Sequence, residues 1–344
     1  MRVSWFLIAF TCWLLGACTA CGLPAGQAQA VTVSIMSYNV MTLFDPVDDG
    51  GEYGEFSVRS GDWDEVRYRQ RLRSLSEAIL AIVPGGPDIL ALVEIENERV
   101  LADLASLLGG YSAQVMAQDE PAILACGLLA RFPLTSARAH LAGGAVATSV
   151  PRYMLEAEFA VQGEPLVVLA AHWKSKLGGP EATEPVRQGA AVLARDLMAR
   201  RLAERPGLAI VLAGDLNENP DEFERVGRAW PTALMPVGEG DGAWLNIALS
   251  EAELATDSAY PVLFCPWTKE AGFSYRYAGQ DERIDHLLLS AGALGGGRWR
   301  LASFSATPAG FMLDADGSPL AWSSRSNDGY SDHLPVLATL QLLP

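Results

Sequence analysis

The sequence predicts an α/β protein that folds as one domain: the first of three observations indicates the class, and the other two indicate the single domain. Short apolar runs typical of buried strands alternate along the chain with longer stretches of helical periodicity. The 344 residues, of which 50% are hydrophobic, are sufficient to bury a large core. After Val31, no low-complexity linker and no internal repeat divides the chain. We therefore expect one folded domain over residues 31–344.

The first half of that domain alternates between strand and helix. Residues 33–39 and 89–95 are short apolar runs, which favours buried strands. Residues 63–82 and 98–108 have the length and periodicity of helices, and Asn97 is a suitable N-cap for the second of them. Further strands are expected at residues 122–131, 154–160 and 166–172.

The second half continues with a long helix, expected at residues 184–203, and a buried strand at residues 208–214. Residues 243–279 are irregular and rich in aromatic residues, so we expect short strands mixed with surface loop there. The last strands are expected at residues 286–289 and from Leu334 onward. This periodicity also suits a doubly wound parallel sheet, so it does not select the sheet topology.

The first 17 residues have the features of a signal peptide, with Arg2 followed by an apolar run too short to span a membrane. The stretch Leu15-Gly16-Ala17-Cys18 resembles the bacterial lipobox, which implies cleavage before Cys18 and acylation of that cysteine. Residues 18–30 are small and polar, and we expect them to form a flexible tether. Ordinary signal cleavage near Ala30 is the alternative. Either way we expect export, and the lipobox predicts a membrane-anchored lipoprotein that faces the periplasm or the cell surface.

Composition limits the partners of the chain. With 25 Lys and Arg against 41 Asp and Glu, the net charge is −16, which gives no long-range attraction for polyanions or anionic membranes. Any contact with nucleic acid must therefore be local. The cysteines form neither a disulfide framework nor a zinc motif within the expected domain, and Cys126 fits a buried small hydrophobic residue.

Polar residues lie at the ends of apolar runs at three separated places. A rigid sheet can aim such side chains at one point, and acids, an amide and imidazoles together suit metal-assisted attack on a phosphoester. One aspartate after a glycine is more often a turn residue or a helix cap, so the prediction of a site rests on the presence of all three stretches. The stretches are Gly214-Asp215-Leu216-Asn217, Arg283-Ile284-Asp285-His286 and Ser331-Asp332-His333.

Four further islands precede these stretches: Ser37-Tyr38-Asn39-Val40, residues 88–97, residues 126–134, and Ala171-His172-Trp173-Lys174-Ser175-Lys176. In this order, the seven islands resemble the endonuclease/exonuclease/phosphatase superfamily from about Val31 to the C terminus. The resemblance implies a four-layer sandwich in which two mixed β-sheets pack face to face, with helices on the outer sides. It also implies that the site lies at one end of the sandwich.

The resemblance assigns a metal site. Glu94 aligns with the family's metal-binding glutamate, Asn39 with its supporting asparagine, and Asp332 with the acid before the last histidine. Glu94 also ends a predicted buried strand, and its oxygen donors suit Mg²⁺, with Mn²⁺ or Ca²⁺ as alternatives. Glu96 is the rival carboxylate, because strand alternation places it on the same face as Glu94.

The resemblance also assigns the catalytic groups. His333 resembles the family's catalytic histidine, and Asp285 resembles the carboxylate that hydrogen-bonds it. Whether His333 accepts a proton from water or braces the phosphate stays open at this point. Asp215 is the alternative base or nucleophile-positioning group, and Asn217 would bind the phosphate or the attacking water. His172 resembles the histidine that contacts the phosphoryl oxygen or assists the leaving group in the deoxyribonuclease-like branch.

Basic residues near these motifs have two interpretations each. Lys174 and Lys176 suit either a contact with a substrate backbone or an ordinary solvated surface. Arg152 suits either a phosphate contact or an ion pair at a strand end. Four arginines of the predicted helix at residues 63–82 change helix face every two residues, which favours a solvated helix over a binding stripe. They are Arg67, Arg69, Arg71 and Arg73.

The sequence therefore favours an exported, metal-dependent phosphodiesterase, with a nuclease acting on DNA or RNA as the first choice because two of the motifs resemble predicted extracellular nucleases. A phosphatase or a sphingomyelinase-type phospholipase on the same fold is the alternative. Residues 279–285 depart from the inositol 5-phosphatase pattern, and no long hydrophobic hairpin for reaching lipid is visible. A non-catalytic surface-binding lipoprotein is a third hypothesis, but the chain retains its acids and His333. We expect a monomer, no protein partner, and membrane contact through the lipid anchor only.

Overall fold

The computed structural model describes residues 30–117, 123–142, 152–239, 244–255, 259–306 and 308–344. The predicted signal peptide, Cys18 and all of the tether except Ala30 lie outside these residues. Among the described residues, no helix is both long and apolar enough to cross a membrane.

Sixteen strands and four α-helices occur in the described part of the chain. The strands are β1 (Val31–Leu43), β2 (Ile89–Ile95), β3 (Ala113–Met116), β4 (Ala125–Ala130), β5 (Leu134–Ala142), β6 (Arg152–Val161), β7 (Glu164–His172), β8 (Ala209–Asp215), β9 (Leu234–Pro236), β10 (Leu245–Ala248), β11 (Val262–Phe264), β12 (Tyr275–Tyr277), β13 (Gln280–Glu282), β14 (Asp285–Leu289), β15 (Trp299–Ala306) and β16 (Val336–Leu342). The helices are α1 (Glu65–Ile82), α2 (Glu98–Leu108), α3 (Pro180–Glu204) and α4 (Glu222–Arg225).

The strands form two large mixed sheets and one hairpin. The first sheet has the order β15-β16-β1-β2-β4-β3, and β1 is parallel to β2 but antiparallel to β16. The second has the order β5-β6-β7-β8-β14-β11-β10-β9, and β8 is parallel to β7 but antiparallel to β14. Strands β12 and β13 pair with each other. The mixed strand directions exclude a doubly wound parallel sheet and confirm the α/β sandwich class.

Side chains of the first sheet alternate between two cores. On β1, Val33 and Ile35 belong to the core shared with the second sheet, whereas Met36 and Tyr38 belong to the core under α1 and α2. On the far side, α3 covers the second sheet with apolar residues such as Leu197. Because both faces of the central strands are buried, these strands appear in the sequence as continuous apolar runs.

Candidate active site

The predicted site residues come together at one end of the sandwich. Asn39 and Glu94 lie toward the C-terminal ends of the parallel strands β1 and β2. In the second sheet, His172 on β7 pairs with Asp215 on β8, and Asp215 pairs with Asp285 on β14. The sheet register thus places three predicted side chains on neighbouring strands, and His333 joins them from the segment before β16.

The backbone leaves regular strand geometry at this end. The register between β1 and β2 is interrupted after Asn39, and that between β2 and β4 is interrupted at Glu94. Thr42 consequently donates its backbone N–H to Glu94 Oε2 at 2.7 Å. Positive φ angles, which cost energy for residues other than glycine, occur here at Met41 (54°), Thr42 (52°), Glu94 (67°) and Asn217 (54°).

Asn39 links the two sheets through its side-chain amide. Its Nδ2 donates to Glu94 Oε1 at 3.2 Å and to Asp215 Oδ2 at 3.1 Å. His172 Nε2 lies 3.8 Å from Glu94 Oε1 and 3.5 Å from Asp215 Oδ2. Burial lowers the pKa of His172 well below its usual value, and the positive charge of Arg152 lowers it further. His172 is therefore a neutral imidazole at pH 7.

His333 and Asp285 form the predicted pair. His333 Nδ1–H donates to Asp285 Oδ2 at 2.7 Å, and both residues are buried. Burial alone would lower the pKa of His333, but the negative charges of Asp285 and Asp215 outweigh it, and the pKa lies well above its usual value. In this charge state Nε2–H can donate to a phosphoryl oxygen, but His333 cannot accept a proton from water.

Asp215 is better suited to accept that proton. Burial and the charge of Asp285 raise the pKa of Asp215 to about 7, close to the value that favours a general base at neutral pH. Asn217 donates its backbone N–H to Asp215 Oδ1 at 2.9 Å, while its Nδ2 donates to the Trp173 carbonyl at 3.2 Å. Gly214 has a φ of 135°, and a Cβ atom there would collide with the carbonyl of Ala171.

Glu96 does not share the environment of Glu94. Its Oε2 accepts the backbone N–H of Asp45 at 2.6 Å, whereas Glu94 faces Asn39. The predicted common face is wrong because Glu94, with its positive φ, interrupts the strand alternation. Burial raises the pKa of Glu96 to about 8, so this side chain is mostly neutral at pH 7. Asn97 caps α2 as predicted, since its Oδ1 accepts the Val100 N–H at 3.0 Å.

Arg71 lies at the site, although the sequence predicted a solvated position for it. It is fully buried, and its guanidinium donates to the carbonyls of Tyr330, Val40 and Met41, the last at 3.2 Å. It thereby ties the turn after Asn39 to the segment that carries His333. The predicted solvated position is wrong for Arg71, because helical spacing places it on the same face as Tyr68 and Leu75, which are also buried.

Asp332 lies beside this cluster without joining its direct contacts. The negative charges of Asp332 and Glu94 both act on Arg71, whose pKa burial lowers to about 9. Both carboxylates therefore lie within electrostatic reach of one guanidinium. Their oxygen donors, together with the Asn39 amide, are of the type that Mg²⁺ and Ca²⁺ prefer. The Glu94 side chain is 18% exposed, so an ion from solvent can reach it.

Two compact groups of side chains in the described chain could bind a metal: Asp215 with Asp285 and His333, and Asp49 with Glu52 and Glu96. Neither group contains Glu94 or Asp332. In the first group, His333 is a weak ligand because its raised pKa keeps the imidazole protonated. This group is better suited to accepting and donating protons than to binding a metal.

The two lysines beside His172 are occupied by the protein itself. Lys176 Nζ pairs with Glu222 Oε2 at 2.6 Å, and Lys174 Nζ donates to the carbonyls of Ser175 at 3.0 Å and Leu177 at 3.2 Å. These contacts favour a structural interpretation over a substrate contact. Arg152 is a second cation next to the site, besides Arg71, since its Nη1 donates to the His172 carbonyl at 3.2 Å.

A buried ion network supports the loop after β8. Arg187 on α3 pairs with Glu184 at 2.6 Å and with Glu218 at 2.8 Å, and it donates to the Lys174 carbonyl at 3.1 Å. The Glu218 carbonyl in turn accepts from His286 Nε2 at 2.8 Å. The network therefore joins α3 to the loops after β7 and β8 and to β14, which together position Asp215 and Asp285.

Comparison with known proteins agrees with this fold. A model of the endonuclease/exonuclease/phosphatase family matches residues 34–227, and no curated protein matches the sequence. Truncated TDP2 from Caenorhabditis elegans has a TM-score of 0.52 and 18% identity over 90% of this chain and 97% of its own. An endonuclease/exonuclease/phosphatase family protein from Bacteroides thetaiotaomicron has a TM-score of 0.54 and 15% identity over 91% and 96%. A mannosyl-6-phosphatase from the same species has a TM-score of 0.52 and 16% identity over 90% and 99%. At these identities the likeness shows the fold alone.

Proposed function

The chain belongs to the endonuclease/exonuclease/phosphatase family, and from that premise we propose that it is a divalent-metal-dependent nuclease that hydrolyses phosphodiester bonds of DNA or RNA. The observation that supports this most directly is the convergence of seven residues, from strands of both sheets and from the segments beside them, on one end of the sandwich. They are Asn39, Glu94, His172, Asp215, Asn217, Asp285 and His333.

The charge states of these residues suggest their roles. Asp215 accepts a proton from the attacking water, and Asn217 helps to fix the Asp215 carboxylate. His333, protonated and held by Asp285, donates from Nε2 to a phosphoryl oxygen. The neutral His172 has no proton to give up, but its N–H could donate a hydrogen bond to the leaving oxygen, which would take its proton from water. A divalent ion held by Glu94 and Asp332 would neutralise charge on the phosphoryl group.

A phosphatase acting on small phosphomonoesters is the second candidate. The observation in its favour is that Lys174 and Lys176 make contacts within the protein, so they leave little positive surface for a polynucleotide backbone. The net charge of −16 adds no long-range attraction for a polyanion. One of the similar solved structures is a mannosyl-6-phosphatase, which makes a sugar phosphate a reasonable test substrate.

A substrate panel separates the two candidates. The purified protein would be incubated with plasmid DNA, single-stranded DNA and RNA, mannose 6-phosphate, inositol phosphates and sphingomyelin. Each would be tested with Mg²⁺, Mn²⁺, Ca²⁺ or a chelator. We expect cleavage of nucleic acid that the chelator abolishes. Release of phosphate from a small substrate, with all nucleic acids left intact, would exclude the nuclease and leave a metal-dependent phosphoesterase.

We also propose that acylated Cys18 holds the enzyme at a membrane. Two or more acyl chains give stable retention, whereas a single chain binds only marginally. Replacement of Cys18 by serine should therefore release the protein into the soluble fraction. Mass spectrometry of the mature N terminus provides the direct measurement, and an unmodified peptide that begins near Val31 would contradict the anchor.

A further inference from the structure

The hairpin formed by β12 and β13 lies directly against the His333–Asp285 pair. The ring of Tyr275 stacks on the ring of His333, with centroids 4.6 Å apart and an interplanar angle of 28°. Ser274 accepts the Leu334 N–H at its carbonyl (2.7 Å) and the Asp285 N–H at its hydroxyl (3.1 Å). The hairpin is thus fixed to both segments that carry the pair, and Tyr275 extends the surface of the site.

The opposite face of the hairpin is anchored to the rest of the domain. Arg276 Nε donates to Asp281 at 2.7 Å, its Nη1 donates to the Asp316 carbonyl at 3.0 Å, and its guanidinium lies 4.7 Å from the ring centre of Phe273. Successive residues of a strand point to opposite faces. Tyr277 consequently shares the face of Tyr275, which is the face toward the site.

Tyr277 extends this aromatic face into solvent. Tyr277 is 66% exposed, which leaves its ring accessible to a ligand from solvent. Two residues along a strand correspond to about 7 Å, so the exposed ring begins roughly that far from the ring that covers His333. Gln280, also exposed, is directly opposite Tyr277 in the hairpin register. A flat ring and an amide therefore stand side by side at the mouth of the site.

The turn between β12 and β13 fixes the positions of Tyr277 and Gln280. Ala278 and Gly279 connect the two strands with φ angles of 49° and 78°, the positive values that a tight two-residue hairpin turn requires. Burial raises the pKa of the Tyr275 hydroxyl, and the negative charge of Glu282, which is opposite Tyr275 in the hairpin register, raises that pKa further. Lys176 lies 3.8 Å from Glu282 and links the base of the hairpin to the loop after β7.

We propose that Tyr277 and Gln280 form a nucleobase subsite beside the scissile phosphate, an inference that rests on the proposed nuclease function. A base stacks on an exposed tyrosine ring whatever its sequence, and a glutamine amide can hydrogen-bond the edge of a base. A base is separated from its phosphate by one sugar, which suits the spacing between His333 and Tyr277. A sugar esterified directly to the phosphate would lie against Tyr275 instead.

Ligand binding tests the subsite without turnover. Titration calorimetry would compare adenosine 5′-monophosphate with ribose 5-phosphate on the Mg²⁺-loaded protein. We expect the nucleotide to bind more tightly, and Tyr277→Ala to remove most of that advantage, by about 5- to 150-fold for the loss of one stacked base. Tyr277→Phe keeps the ring and should retain the advantage. Equal binding of both ligands by the wild-type protein would overturn the subsite.

Turnover then separates the subsite from the nuclease function. Tyr277→Ala should lower kcat/KM for an oligonucleotide but not for the same oligonucleotide with an abasic residue beside the cleaved bond. Leu107→Ala, which removes an exposed apolar side chain from α2, is the control and should change neither rate. Unchanged cleavage by Tyr277→Ala would refute the subsite and leave the nuclease in place. Base-dependent binding through Tyr277 without any cleavage of nucleic acid would support the subsite and refute the nuclease function. A matching loss of mannose 6-phosphate affinity in Tyr277→Ala would indicate a sugar subsite and overturn the proposal.

Discussion

Replacing Asp285 by asparagine is expected to reduce turnover by on the order of 10⁴-fold, as in other enzymes where the carboxylate of a histidine–aspartate pair becomes an amide. Asp285 Oδ2 accepts the Nδ1–H of His333 at 2.7 Å, and its negative charge is the largest favourable influence on the raised pKa of that histidine. An amide removes the charge and can present a donor to Nδ1. His333 would then lose its proton, its ring orientation, or both. The measurement is kcat with saturating metal on the substrate found in the panel.

A double variant shows whether the two residues act together. If Asp285 works only through His333, then Asp285→Asn in a His333→Ala background should cost little beyond His333→Ala alone. Asp196→Asn makes the same chemical change on the exposed face of α3 and should leave turnover unaltered. Strictly multiplicative losses in the double variant would mean that Asp285 has a role separate from His333.

The strands that position this site could be predicted because burial on both faces produces apolar runs. The prediction for residues 89–95 coincides with β2, and that for residues 98–108 coincides with α2, where Asn97 supplies the cap. Residues 243–279, expected to mix short strands with loop, contain β10, β11 and β12 among their described residues. Their irregularity in the sequence reflects short strands, of which β10 and β11 lie near the far edge of the second sheet and β12 lies in the separate hairpin.

Edge strands were missed for a related reason. β5 and β15 lie at the outer edges of the two sheets, and most of their side chains are exposed or only half-buried. An edge strand has one neighbour and needs no continuous apolar run, so the sequence contains little to mark it. Periodicity did not select the sheet topology either, and the prediction of two mixed sheets packed face to face came from the family resemblance.

The site shows the same division between local and tertiary information. Motifs located the residues that carry acid, amide or imidazole groups, because those groups lie at the ends of apolar runs. Three features depended on distant contacts: the inward turn of Arg71, the ion pair of Lys176 with Glu222, and the break in strand alternation at Glu94. Only the first had a local signal, which was its position on the apolar face of α1.

Glu94→Gln is expected to keep the fold and abolish most turnover, because it replaces an anionic metal ligand by a neutral amide of nearly the same size. The Thr42 N–H donates to the present carboxylate, and the amide oxygen of glutamine can still accept that bond. Losing a residue that only hydrogen-bonds a metal ligand typically costs 10- to 100-fold in metal affinity, so losing a direct ligand should cost about 100-fold or more. Asp332→Asn should act in the same direction. Mg²⁺ titrations of activity and of binding heat give the two measurements.

Glu96→Gln is the matched control, and it also decides between two acidic groups. Glu96 lies two residues further along the chain and belongs to the cluster with Asp49 and Glu52, which could itself hold a metal. Its pKa of about 8 means that the carboxyl is mostly neutral at pH 7, so glutamine is a close substitute in the apo protein. If Glu94 and Asp332 bind the catalytic ion, Glu96→Gln should leave both the Mg²⁺ dependence and kcat nearly unchanged. A loss of metal affinity in Glu96→Gln, with wild-type behaviour in Glu94→Gln, would move the metal site to the loop after β1.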